Sequence, residues 1–355
     1  GRAVTPLLPH PGELRQVDFS RDGALLLTTC SDGIVRLWDT TTGRLVAQPI
    51  VQDANGVFAA LSPEGTRLVV GTASGGVHQF RVENRAARPI TLPRRLGAPR
   101  PAPFLPDLPP RLLWLGPDRA RVFDVASGLE RTGGFAYPES IGSPSDNQGP
   151  VVRHDLGLMV VYTRDHGWRV WSFGTGRVER VVPLVGCPED EAWACLGPDG
   201  RTVALIASAM IRFWDTRTGL PVGQPCVAGG GFFTPNAQVG GFSPDGLRFV
   251  AGADNGKVTV WAISTGEPLL QLGPNREGRF SFVGYSPDGS RIATVQNSLG
   301  DVRLWDAASG QPVGPVRSSA SGAGGAAFSS DGRRFAASLG HAKVVLWNTR
   351  DGTPV

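Results

Sequence analysis

The side chains best suited to acid–base chemistry near neutral pH are five histidines, His10, His78, His154, His166 and His341. Two of them have a neighbouring carboxylate, in His154-Asp155 and Asp165-His166. A carboxylate beside an imidazole can orient it for proton transfer, but both pairs lie in turn-like sequence, where Asp and His serve as polar turn residues. The chain has no His-Glu-x-x-His, no Gly-x-Ser-x-Gly and no Gly-Lys-Ser/Thr, so metalloprotease, serine-hydrolase and phosphate-loop chemistry lack their signatures. Gly229-Gly230-Gly231 is not followed by a lysine, which removes a nucleotide cradle. Cys30, Cys187, Cys195 and Cys226 show no C-x-x-C and no zinc-like pairing, and buried free thiols are expected. The chain is therefore read as no enzyme, with no catalytic residue, no metal site and no cofactor.

Binding chemistry is better represented. Residues 92–103, LPRRLGAPRPAP, carry Arg94, Arg95 and Arg100 with no acidic residue. Guanidinium groups presented this way suit an acidic peptide or phosphate, although a solvated loop has the same composition. Phe232 and Phe233 are adjacent in a Gly-flanked segment, so strand alternation cannot bury both, and one is expected to touch a partner or plug the channel or loop. Arg276 and Arg279 add positive charge nearby in the repeat. Tyr137–Pro150 is a long Ser/Pro/Gly-rich connection. The formal charge of +4 resides almost wholly on arginine, since Lys257 and Lys343 are the only lysines. With no block of like charge and with acidic residues interspersed, nucleic acid is not the expected partner. No apolar run is long enough to span a membrane and no signal segment opens the chain, so a soluble, cytoplasmic, monomeric domain is expected.

These residues are hung on a repeat. Tyr285–Gly314 reads as a unit: Ser286-Pro287-Asp288-Gly289 makes a tight turn, Arg291–Gln296 and Asp301–Trp305 make strands, and Pro312-Val313-Gly314 opens a fourth. The same order recurs along all 355 residues. Aromatics closing the third strand stand at Trp38, Phe80, Phe123, Trp171, Trp214, Trp261, Trp305 and Trp347, spaced by 42 to 48 residues in the numbering. That interval is close to the roughly 40–45 residues of a four-stranded blade repeat. First-hairpin turns recur at Ser20-Arg21-Asp22-Gly23, Ser62-Pro63-Glu64-Gly65, Gly197-Pro198-Asp199-Gly200, Ser243-Pro244-Asp245-Gly246 and Ser329-Ser330-Asp331-Gly332. Units three and four offer Pro106–Pro110 and His154–Gly157 instead.

Through Leu37-Trp38-Asp39, Phe213-Trp214-Asp215 and Leu304-Trp305-Asp306 the chain resembles the WD40-repeat family, and its SPDG…LWD…TG cadence is similar to that of bacterial members. The resemblance implies an all-β propeller of four-stranded blades stacked radially, each third-strand aromatic packing as core. Burial of about 150–250 Å² per aromatic at about 25 cal/mol/Å² contributes roughly 4–6 kcal/mol gross for each. Eight blades are expected in a single domain over 1–355, with residues 1–10 supplying the strand that completes the last blade. Seven blades or a slice of a longer array is the alternative. Family members carry a buried His–Ser/Thr–Asp–Trp set, which His10, Thr28, Asp32 and Trp38 match in the first unit only. The resemblance further implies a non-catalytic scaffold or sensor that binds a peptide or protein partner on its loop-bearing face, as part of a larger bacterial multidomain protein. Candidate contacts there are Arg94, Arg95, Arg100, Phe232, Phe233 and Arg276. An enzyme or small-molecule sensor using the channel mouth is the alternative.

Overall fold

The computed structural model describes residues 8–51 (except 13), 57–90 and 151–354, with interruptions at 63–64, 73–76, 84–85, 154–157, 164–166, 174–177, 187–191, 208–209, 228–239, 274–276, 298–299, 320–321 and 341–342; between 104 and 142 it describes five strands. The described elements are strands joined by turns, without an α-helix. The strands group into eight antiparallel sheets, seven of them four-stranded, and in six of the eight the strand order simply follows the chain. In chain order, sheets 1 to 7 cover residues 14–51, 57–90, 104–136, 141–183, 192–227, 240–272 and 280–317, and sheet 8 covers 323–348 together with Leu8–Pro9. First strands of neighbouring sheets touch one another and so line the axis, whereas fourth strands such as Pro221–Val227 and Pro312–Arg317 are largely exposed at the rim. This is a β-propeller.

The turn motif is chemically self-contained. At Ser286-Pro287-Asp288-Gly289 the Ser286 hydroxyl donates to Asp288 at 2.5 Å and accepts from the Arg291 amide at 2.9 Å. Gly289 donates to the Ser286 carbonyl at 2.9 Å and has φ +73°, a conformation that glycine adopts without steric cost. Where a carboxylate follows the third-strand Trp, as at Asp39, Asp215 and Asp306, it closes the next turn: Asp306 accepts the Ser309 amide at 3.0 Å and the Ser309 hydroxyl at 2.9 Å. Asp39 and Asp215 repeat this with Thr42 and Thr218. The Trp-Asp-x-x-Ser/Thr-Gly cadence is thus a packing residue followed by an Asx-type turn.

Of the third-strand aromatics, the side chain of Phe123 lies outside those described. Trp38, Trp171, Trp214, Trp261, Trp305 and Trp347 are all buried, as is Phe80. Six buried clusters join sheet 8 to 1, 1 to 2, 4 to 5, 5 to 6, 6 to 7 and 7 to 8. A single twisted sheet cannot bury both faces, and each cluster is the face one sheet could not cover alone. At the first of these junctions Leu8, Leu14, Val17, Trp38, Ala336 and Val344 share one cluster, and Arg334 donates to the Thr40 hydroxyl across the seam.

Sheet 8 draws its outer strand from both ends of the chain. Leu8 pairs with Val344 and Pro9 with Lys343, while Pro354 bridges Trp347. Sheet 4 departs from the pattern. Ile141-Gly142 and Val151–Arg153 both pair with Leu158–Thr163, so the stretch 137–150, read from sequence as a connection, contributes a short strand.

Candidate functional site

Alternating strand directions give the propeller two unlike ends. The four-residue turns joining first to second strands lie at one end, and the outer-to-inner connections between sheets lie at the other. At the turn end, the inner strands of sheets 6, 7, 8 and 1, with the turn residue Pro198 of sheet 5, border an open cavity of about 610 Å³. Pro198, Pro244 and Pro287 of the turns rim it.

The position just before the turn serine is aromatic in sheets 1, 6, 7 and 8, as Phe19, Phe242, Tyr285 and Phe328. Phe242 packs edge-on to Phe249 with centroids 5.0 Å apart, and Phe328 lies 4.7 Å from Phe335. Those rings therefore belong to the core yet line the cavity. One residue earlier the inner strands carry Ala60, Cys195, Gly241, Gly284 and Ala327, all small. Gly241 and Gly284 lie close: a Cβ on Gly241 would be 3.9 Å from the Gly284 Cα. In sheet 1 the same position is Asp18.

Among the described residues Asp18 is the only charged one in the cavity wall. Its carboxylate accepts the Phe19 amide at 2.8 Å and has an open side toward the lumen. Protein on its other sides limits hydration, and this desolvation pushes its pKa up to about 6, with the Phe19 hydrogen bond opposing. Two other polar groups nearby are engaged. Gln16 donates to the Ala59 carbonyl at 2.9 Å and accepts the Ala59 amide at 3.2 Å, so its side chain acts as a strand extension into sheet 2. Ser286 is committed to Asp288. The buried Tyr285 hydroxyl has no partner among the described residues, and burial pushes its pKa up to about 12.

A second polar group is buried near the 8–1 seam. His10 Nδ1 lies 3.0 Å from the Leu8 carbonyl, which can only accept, so Nδ1 carries the proton. Nε2 then accepts from the Thr28 hydroxyl at 2.8 Å, and the Thr28 oxygen accepts the Trp38 indole N–H at 2.9 Å. Burial lowers the His10 pKa to about 4, keeping the ring neutral. Asp32 does not join this chain of bonds. It pairs with Arg36 at 2.7 Å and accepts the Ile34 amide at 2.9 Å. The guanidinium on the same hairpin competes for the carboxylate, so the set consists of three members beside an ion pair.

Arg94, Arg95, Arg100, Phe232, Phe233 and Arg276 lie outside the described residues. The strand ends that flank them are described: Ile90 closes the outer strand of sheet 2, Val227 that of sheet 5 and Leu272 that of sheet 6. His154, His166 and His341 also lie outside the described residues, whereas His78 is exposed on the third strand of sheet 2. Cys30 and Cys226 are buried free thiols, Cys195 is half-buried, and burial pushes the Cys226 thiol up to about 12. Among the described residues no three His, Cys, Asp or Glu side chains come together as metal ligands. No helix among them is long and apolar enough to cross a membrane.

Sequence reasoning overlooked three groups: Asp18, Tyr285 and the Thr294–Trp305 pair, in which the indole donates to the threonine at 3.0 Å. Thr294 stands eight residues after its turn serine, as Thr28 does, and that coincidence was the available signal.

Comparison with known proteins agrees with the fold. The family model "WD domain, G-beta repeat" matches residues 2–39. The guanine nucleotide-binding protein subunit beta of Zea mays is 24% identical over 300 residues, covering 80% of this chain and 78% of the relative. That of Solanum tuberosum is 24% identical over 309 residues, 83% of this chain and 81% of the relative. The WD repeat-containing protein JIP5 of Phaeosphaeria nodorum is 35% identical over 98 residues, but the match spans only 25% of this chain and 23% of that protein. Among solved structures the computationally designed Ika8 protein superposes with a TM-score of 0.73 at 19% identity, over 97% of this chain and 99% of that one, a likeness of fold alone.

Proposed function

Since the chain belongs to the WD40-repeat family, we propose that it is a non-catalytic interaction platform, an eight-bladed single-domain propeller that binds a protein or peptide on the face carrying the outer-to-inner connections. The observation that carries the reading is the asymmetry of the two ends. The turn end repeats nearly one motif, whereas the connections at the other end vary from the short link after Ala136 to the stretches 91–103 and 228–239. Variation concentrated on one face of a repeat scaffold is where binding specificity is placed. The relatives named as subunits of a guanine nucleotide-binding protein support work within an assembly. Arg94, Arg95 and Arg100 then present guanidinium groups to acidic or phosphate groups, and Phe232, Phe233 and Arg276 supply aromatic and cationic contacts. A rim of this kind can bury the roughly 800 Å² per partner of a stable interface. The repeat cadence suits a sensor portion of a larger bacterial protein working in the cytoplasm.

Replacing Arg94, Arg95 and Arg100 together by Glu tests the charged part of this surface. Binding of an acidic partner weakens while the thermal unfolding midpoint stays put. Unchanged binding removes that loop from the site.

A further inference from the structure

The cavity at the turn end of the channel is the second place where this chain can hold a ligand, and it lies at the mouth opposite the proposed partner face. Its wall is chemically one-sided. Phe242, Phe282 and Phe328 with the turn prolines make an apolar surface, and sheet 1 contributes a single charge, Asp18. Gln16 and Ser286 already have protein partners, as described above. The carboxylate has no cationic partner among the described residues.

We infer that this cavity binds an organic ammonium ion with an apolar body, the ammonium against Asp18 and the body against the Phe242, Phe282 and Phe328 rings. A metal ion is a poorer match, because one carboxylate in an aromatic wall supplies too few oxygen ligands for a hard cation. An anion would face an unscreened carboxylate. A neutral apolar ligand would displace water from the open side of the carboxylate without supplying a partner for its charge. An alkylammonium satisfies both walls, and cations are also attracted to aromatic faces. The size fits: about 610 Å³ lies within the roughly 300–1,000 Å³ usual for small-ligand pockets.

The environment of Asp18 makes the interaction pH-dependent in one direction. The neighbouring inner strands present Ala59, Ala60 and Leu61 on one side and Ala326, Ala327 and Phe328 on the other, and Leu27 is its partner in the second strand of the sheet. None of these titrates. Arg15, on the same strand, forms no ion pair with it among the described residues. Protonation of Asp18 therefore abolishes the attraction, and bound ammonium holds the proton off.

The inference is independent of the partner-face reading, since it concerns the other mouth and is tested by direct binding. The whole chain is titrated calorimetrically with n-hexylammonium, with n-hexanol, and with Nα-acetyl-lysine methylamide. Hexylammonium is expected to bind at least about tenfold more tightly than hexanol, and Asp18→Asn to lose at least about tenfold in affinity. Wild-type binding should also weaken between about pH 7.5 and about pH 5, because Asp18 gains its proton in that range. Near-ultraviolet circular dichroism checks that Asp18→Asn is folded. If the lysine derivative binds as well as hexylammonium, the natural source is a lysyl side chain of a peptide; if it binds more weakly than hexylammonium, the source is a free amine. Equal binding of hexanol and hexylammonium, unchanged affinity in Asp18→Asn, or no heat at about 10 mM ligand overturns the inference.

Discussion

Leu8 stands opposite Val344 in the same register in which Cys226 stands opposite Ile211 and Arg317 opposite Val302. A residue near the start of the chain thus takes the place of an outer-strand residue in the last sheet, and pairing covers an edge that would otherwise template aggregation. Leu8 is also buried in the cluster that joins sheets 8 and 1. Leu8→Ala is expected to cost about 2–5 kcal/mol, read as a drop in the urea midpoint at constant slope. A change below about 0.5 kcal/mol would mean the strand contributes no closure.

Thr294 and Trp305 supply a second test. Thr294→Val keeps the shape but removes the acceptor of a buried indole N–H, at an expected cost of about 1–3 kcal/mol. Thr294→Ser restores the oxygen and should recover most of the loss, leaving only the missing methyl. Equal destabilisation by both variants would show that the pair contributes through packing alone.

Two glycines separate backbone strain from close approach. Gly186 and Gly219 have similar φ, +68° and +70°, yet a Cβ on Gly186 would meet nothing within 4 Å, while one on Gly219 would lie 2.1 Å from the Pro183 carbonyl. Gly186→Ala is expected to cost about 1–2 kcal/mol, the left-handed penalty alone. Gly219→Ala should exceed that by at least about 2 kcal/mol, because the turn of sheet 5 must move off sheet 4. Chemical denaturation of the two variants side by side decides it.

Stability against pH follows from two groups with opposite signs, the buried His10 and the partly desolvated Asp18 of the cavity wall. Burial lowers the His10 pKa to about 4, so stability present above its unfolded value of 6.5 is lost as pH falls and levels off below about 4. Asp18 is raised from 3.8 to about 6, so it destabilises the fold above that value and the penalty is relieved as pH falls toward 3.8. The two effects oppose each other between about pH 6.5 and about pH 4, and the wild type should show a shallow profile there. Asp18→Asn is expected to be the more stable protein at neutral pH and to lose that advantage on acidification, which a series of thermal melts would reveal. Below this range the turn carboxylates take over. Asp306, which accepts the Ser309 amide and hydroxyl, is held below the ordinary carboxylate value, so its contribution is lost as pH falls through that lowered value.

The architecture was largely legible because each turn is specified by local chemistry. Ser286, Asp288 and Gly289 close their hairpin without outside help, and Asp306 closes the next, so motif and structure coincide. Features that depend on the ring were not legible. In LRQVDF, residues 14–19, Asp18 looks like any solvent-side residue of an alternating strand, and only closure of the ring places it in a channel. Its contrast with Ala60, Cys195, Gly241, Gly284 and Ala327 appears once the units are stacked by their turns. Asp32 was grouped with His10 by motif, but Arg36 four residues later captures it. The strand at Ile141-Gly142 escaped because two residues carry no periodicity.

The measurement that most directly tests the platform reading is affinity capture from the source cell followed by mass spectrometry. It compares the wild-type chain, Phe232→Ser with Phe233→Ser on the proposed partner face, and Arg201→Glu at the exposed turn end, all checked for folding. The account predicts a protein captured by the wild type and by Arg201→Glu and lost by the double variant. A partner retained by the double variant and lost by Arg201→Glu would contradict it, placing the interaction on the other face.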